Sequence, residues 1–144
     1  MKPAQLVGVW QLREFVLQAD GAESRPFGER PNGRLHVSEN GELLVAIFAE
    51  QRARLASDDL QAGLPHEAAA VLRSSLCYFG RWQLDAETAT LRTEVHGALF
   101  PNLEATIQER TAELKGPDEL ILSTKPLAWE GRSQSGVLRW TRVP

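Results

Sequence analysis

Cysteine is almost absent: Cys77 is the only one among 144 residues, so no disulfide can close within the chain. Its flanks, Leu76 and Tyr78, contain no base to activate a thiol, which marks it as a buried structural residue. No apolar run approaches the roughly 18 residues that a membrane-crossing helix needs. Met1-Lys2-Pro3-Ala4-Gln5 lacks the apolar stretch of a secretory leader, and no N-x-S/T sequon occurs. A cytoplasmic, soluble protein is the expectation. An excess of positive charge is missing too. Lys and Arg number 16 against 19 Asp and Glu, a net charge of -3, which argues against nucleic acid or an anionic membrane surface as partner.

Motifs that carry familiar chemistry are also missing. His36, His66 and His96 share no metal-ligand spacing, and Ala70 stands where His66-Glu67 would need a second histidine. The run Gly131 to Gly136 carries Ser135 where a nucleophile elbow needs glycine, and it precedes a strand rather than a helix. No phosphate-cradling glycine loop is present. No metal and no cofactor is therefore expected.

What the chain has is strands. Tyr78–Leu84, Thr90–Val95 and Thr106–Leu114 alternate apolar and polar residues, the period of a half-buried strand, and short polar turns make them an antiparallel meander. Before them, Arg34–Ser38 and Glu42–Phe48 flank Asn40-Gly41, a pair suited to a tight hairpin turn. Leu6–Gln18 reads as a long opening strand. Glu119–Thr124 and Val137–Val143 read as closing strands. Residues 22–33, rich in Pro and Gly, read as an edge segment or loop, and 49–63 as a charged loop or cover. Pro65–Leu76 carries a helical stripe with Pro at its start and Arg73 near its end. Eight to nine short strands and one short helix predict an all-β, antiparallel up-and-down eight-stranded barrel, formed by a single domain over residues 1–144.

Several pieces in order resemble the lipocalin-like domain family, small calycin-type barrels related to lipocalins. They are Leu6-Val7-Gly8-Val9-Trp10-Gln11-Leu12, Gly33-Arg34-Leu35-His36-Val37 with Asn40-Gly41, Tyr78-Phe79-Gly80-Arg81-Trp82, and Leu99-Phe100-Pro101-Asn102. Arg110, Leu120-Ile121-Leu122 and Leu138-Arg139-Trp140-Thr141-Arg142 complete the set. The resemblance spans roughly Leu6 to Arg142 and implies an eight-stranded barrel with a central cavity, without a single activity attached. The chain departs from the family in one run: Thr93 occupies the place of a histidine and His96 that of a glutamate. Leu103 and Ala105 stand where the family favours Trp and Gly.

Strand parity selects the candidate site. If Trp10 faces inward, unbroken alternation brings Glu14 with it; Arg110 likewise brings Gln108 and Ala112. Leu91, Thr93 and Val95 form the inner face of their strand, which leaves Arg92, Glu94 and His96 outside. Tyr78, Trp82 and Trp140 either line a cavity or fill it, and Trp129, in a loop, is a candidate for the mouth. The candidate ligand-binding residues are thus Glu14, Tyr78, Trp82, Thr93, Gln108, Arg110 and Trp140. The expected ligand is a small apolar molecule or aromatic acid, with Glu14 and Arg110 as polar anchors, or with Arg110 merely capping Trp10. The alternative is a cyclase or isomerase acting on a natural-product intermediate in the same cavity. Val9, Phe15 and Leu17 fall on the opposite face, where the helix, or a second subunit in a homodimer, would cover them.

Overall fold

The computed structural model describes all 144 residues, Met1–Pro144. In chain order the elements are β1 (Gly8–Ala19), β2 (Ala22–Ser24), β3 (Asn32–Val37), β4 (Glu42–Phe48), α1 (Pro65–Arg73), β5 (Ser75–Asp85) and β6 (Thr90–Ala98). They continue with β7 (Ile107–Lys115), β8 (Glu119–Thr124), β9 (Leu127–Trp129) and β10 (Arg132–Arg142). Eight of the ten strands form one antiparallel barrel, in the order β1-β3-β4-β5-β6-β7-β8-β10, which β1 closes by pairing with β10. The short β2 and β9 extend β1 and β10 beyond the wall. Closure through the β1–β10 seam leaves only short edges, at β2, β9 and the middle of β1, which is how such a sheet limits pairing with another chain.

The two ends of the barrel differ. At one end the connections are short: Ser38–Gly41 between β3 and β4, Ala86–Ala89 between β5 and β6, and Gly116–Asp118 between β7 and β8. Gly41, at φ 93°, supplies the left-handed backbone of the first of these. A 3-10 turn, Pro3–Gln5, closes this end. Fully buried Leu6 and Trp10 lie behind it, with Trp10 Nε1 donating to the Leu6 carbonyl at 2.9 Å. All four longer connections, 20–31, 49–74, 99–106 and 125–131, leave from the other end.

The side chains inside the barrel follow the strand period, with one interruption that matters. Trp10 and Leu12 face inward, the register of β1 against β10 slips between Leu12 and Glu14, and Phe15 and Leu17 then face inward. This is a β-bulge at Arg13, and the extra residue reverses the parity of everything after it. The expectation that Glu14 shares the face of Trp10 is therefore corrected: Glu14 lies outside. Phe15 and Leu17 are likewise not on an outer face but in the core. That removes the ground for a homodimer or a helix covering them. A second slip, between Phe79 and Gly80 of β5, accommodates His96 as an extra residue of β6, and His96 stays outside against Glu94 at 3.3 Å.

Helix α1 is shorter than its sequence pattern predicts. It ends at Arg73 because Ser75 and Leu76 already belong to β5. None of its residues is buried, and the strand it chiefly meets is β5, into which it leads. Segment 49–64 is tied to it at both ends. Arg52 donates to Ser74 and Ser75 Oγ at 3.1 and 2.9 Å, while Glu67 accepts from the main-chain N–H groups of Leu64 and Ala56, each at 2.9 Å. Those two N–H groups, Leu64 first, hold the Glu67 carboxyl below the usual carboxylate range. The tie is thus present above about pH 4 and is lost as pH falls through the lowered value. Glu67→Ala is expected to make residues 55–63 a fast site of limited proteolysis at neutral pH, with wild type reaching the same rate only in acid. Equal cleavage rates at pH 7 would show that Glu67 does not hold this segment.

Cys77 is half-buried on the outer face rather than fully buried, beside half-exposed Leu44 and Phe79.

Candidate functional site

The barrel interior divides into a packed floor, a mixed wall and a covered mouth. At the floor Trp10, Trp82, Trp140, Val37, Leu43, Leu91 and Leu120 belong to one buried cluster. Trp82 Nε1 donates to the Ser38 carbonyl at 2.9 Å. Trp140 Nε1 is the one buried side-chain polar atom without a hydrogen-bond partner, and neighbouring atoms cover it. Such a donor costs about 1–3 kcal/mol and is out of reach of a ligand unless the floor repacks. The sequence left open whether Tyr78, Trp82 and Trp140 line or fill the interior. They sit within the packed cluster, with Tyr78 highest on the wall, opposite Val45 of β4.

The wall formed by β6, β7 and β8 is where polar groups face inward. Ala112 of β7 is buried in the core, so Gln108 and Arg110 share its face. Thr93, buried on β6, lies across from Gln108, and Arg110 lies between Leu91 of β6 and Thr124 of β8. Gln108 Nε2 donates to Thr106 Oγ1 at 2.9 Å, leaving its oxygen free to accept. Thr124 Oγ1 accepts the main-chain N–H of Gly136 at 2.8 Å. Thr124 did not stand out in the sequence, although its place in an alternating strand next to the Arg110 strand was a usable signal.

Arg110 is half-buried, and its hydrogen bond within the chain runs to the neighbouring Glu109 carbonyl at 2.8 Å. The chain's ion pairs all lie elsewhere. The cation over the Trp10 ring is not Arg110 but Arg142, at 4.2 Å from the ring centre. A guanidinium has five N–H donors, so most of those on Arg110 remain for another acceptor.

Glu14 and Arg110 are therefore not brought together. Glu14 takes part in a network on the outer surface, 2.5 Å from Arg25 and 3.4 Å from Arg139, which in turn reaches Glu119 at 2.8 Å. The Glu14 bond raises the pKa of Arg25, and the bond to Glu119 does the same for Arg139. Each partner is about a third exposed or more, so water and salt screen the network.

Over the mouth, three rings from separate parts of the chain meet. Phe27, from the connection after β2, stands edge-on to Phe15 with ring centres 5.4 Å apart. Trp129 of β9 stands 5.6 Å from Phe15 and 5.9 Å from Phe27. Trp129 is thus at the mouth, although it lies in the short strand β9, paired with Arg132, and not in a loop. Phe27 was missed, its one sequence signal being a lone large aromatic within a Pro- and Gly-rich stretch.

No group of three or more His, Cys, Asp or Glu side chains is placed to hold a metal ion, and no helix is long and apolar enough to cross a membrane.

Comparison with known proteins turns on the family. No curated protein matches the chain. Among solved structures it is similar to one described as "De novo design of a fluorescence-activating beta barrel". The identity is 10%, the TM-score is 0.48, and 99% of this chain and 100% of that one are covered. The family model described as "Lipocalin-like domain" matches residues 7–143, nearly the whole chain. The chain belongs to the lipocalin-like domain family.

Proposed function

We propose that the barrel binds a small, mostly apolar molecule bearing an acid group, held in the half of the interior between the packed floor and the mouth. The observation that carries this reading is Arg110, an inward-facing guanidinium with no carboxylate partner and most of its donors free. Its guanidinium is half-buried, and a carboxylate or enolate arriving with the ligand would engage the remaining donors through charge-assisted hydrogen bonds. Thr93 and Thr124 add hydroxyls beside it, and Gln108 adds an acceptor. Val95, Leu122 and Leu138, higher on the wall, supply apolar surface. Burying on the order of 300 Å² at about 25 cal/mol per Å² supports roughly micromolar affinity after association costs. The cyclase or isomerase alternative loses its acid–base group, because Glu14 lies outside.

Fatty acids and aromatic acids should quench tryptophan fluorescence saturably. Arg110→Leu should weaken them relative to their methyl esters by about tenfold or more, the usual worth of a hydrogen bond to a charged group. Equal losses for acid and ester would mean that Arg110 supports the barrel rather than the ligand. The absence of saturable quenching by any such compound would refute the binding reading itself.

A further inference from the structure

We infer that the molecule held in the barrel is a hydroxylated aromatic acid, with its carboxylate on Arg110 and its hydroxyl, one ring length away, between Gln108 and Thr93. The inference rests on the binding reading above and adds the second group by which the ligand is read.

The hydrogen bonds around Gln108 have a fixed direction. Thr106 Oγ1 donates its one proton to the Leu103 carbonyl at 2.6 Å. Towards Gln108 it can therefore only accept, which turns the amide Nε2 to it at 2.9 Å. The amide oxygen is left on the other side, and no hydrogen bond of the chain ends on it. Across the ladder from Gln108 stands Thr93, only 2% exposed, whose hydroxyl also takes part in no hydrogen bond of the chain. Polar groups left unmatched away from water are costly, so a ligand that engages them is favoured over one that does not.

This pair asks for different chemistry from Arg110. The guanidinium has donors only, whereas Gln108 Oε1 can only accept. A ligand hydroxyl satisfies the pair at once: its proton goes to Gln108 Oε1, and its lone pair receives the proton of Thr93 Oγ1. An ether oxygen has no proton to give. An ammonium has no lone pair, and Arg110 would repel it. Spacing then selects the frame that carries both groups. Gln108 and Arg110 are two residues apart on one face of β7, about 7 Å along the strand. A carboxylate and a hydroxyl at opposite ends of a benzene ring stand roughly that far apart. Because β7 begins at the mouth, Gln108 lies above Arg110, and the acid end enters first.

The test is calorimetric titration with 4-hydroxybenzoate, 4-methoxybenzoate and benzoate. Wild type should bind the hydroxy acid about tenfold tighter than either of the others. Gln108→Met keeps the side chain's length and removes the acceptor. It should cut the preference to about twofold or less and leave benzoate binding unchanged, which also shows that the variant is folded. Thr93→Val, nearly equal in shape, should lower the preference by about threefold. Arg110→Leu should weaken all three acids alike.

Equal affinities of wild type for the three acids, each weakened by Arg110→Leu, would overturn the inference and leave the binding reading standing. A preference that survives intact in both Gln108→Met and Thr93→Val would show that the hydroxyl is met elsewhere, and would overturn the assignment. Saturable binding of fatty acids but of none of the benzoates would sink this inference alone. No binding of any of these acids would sink the binding reading with it.

Discussion

Replacing Arg142 with methionine should lower the unfolding free energy by about 3 kcal/mol, although its side chain is a quarter exposed. The guanidinium joins three parts of the chain at the closed end. Nη1 donates to the Val7 carbonyl at 2.7 Å, Nη2 to the Gln5 and Pro117 carbonyls at 2.9 and 3.0 Å, and Nε to Pro117 again at 3.1 Å. Its plane also lies over the Trp10 ring, a contact worth about 0.5–1 kcal/mol. The ion pair with Asp118 adds little, since that carboxylate is 73% exposed. Methionine keeps much of the apolar stem but leaves the Val7 and Pro117 carbonyls without this donor. Lysine should recover little, because a single ammonium cannot span carbonyls on two segments as the planar fork does. Urea unfolding followed by tryptophan fluorescence measures the change. A loss below about 0.5 kcal/mol would show that the closed end is held by packing alone.

Gly80→Ala should be more damaging still, costing about 3 kcal/mol or more and in the limit preventing folding. A Cβ on Gly80 would stand 1.8 Å from the main-chain oxygen of Glu94 and 2.8 Å from its carbonyl carbon. Both atoms belong to β6 directly across the ladder, where the slip between Phe79 and Gly80 draws the two strands together. A side chain could rotate away, but a paired backbone cannot without parting β5 from β6. Gly63→Ala is the control: its Cβ would meet only Leu55, at 3.5 Å, and should change stability by less than about 0.5 kcal/mol. Comparable stability of Gly80→Ala and Gly63→Ala in the same titration would show that β6 yields to the added methyl.

The architecture was legible because strand alternation and turn chemistry are local. Asn40-Gly41 marks its hairpin, and Tyr78–Leu84 and Thr90–Val95 pair in the order read from the sequence. The inward face of β7, and with it Arg110 and Gln108, also came from parity. Parity failed at Glu14, because a bulge adds one residue and shifts the phase of the rest of the strand. The slip was written in the pattern itself: apolar residues at 10 and 12, then at 15 and 17. Reading 10, 12, 14 and 16 as one face overrode it. Phe27 was illegible for a different reason. A residue in a connecting segment has no period to assign it a face, and only tertiary contact with Phe15 and Trp129 makes it part of the core.

The seam between β1 and β10 bears on when this protein can form. Trp10 pairs with Arg142 and Gln18 with Ser135, so the first strand waits for the last. Its opening residues, Gly8–Gln11, can find β3 early, but beyond the bulge Phe15–Leu17 have β10 and, at Leu17, the short β2 as ladder partners. A chain still emerging from the ribosome would hold these residues in an open, curling sheet with two bare edges, the condition in which nascent strands meet chaperones or one another. Contacts this distant in sequence also place barrel closure among slow folding events, milliseconds to seconds after synthesis rather than microseconds.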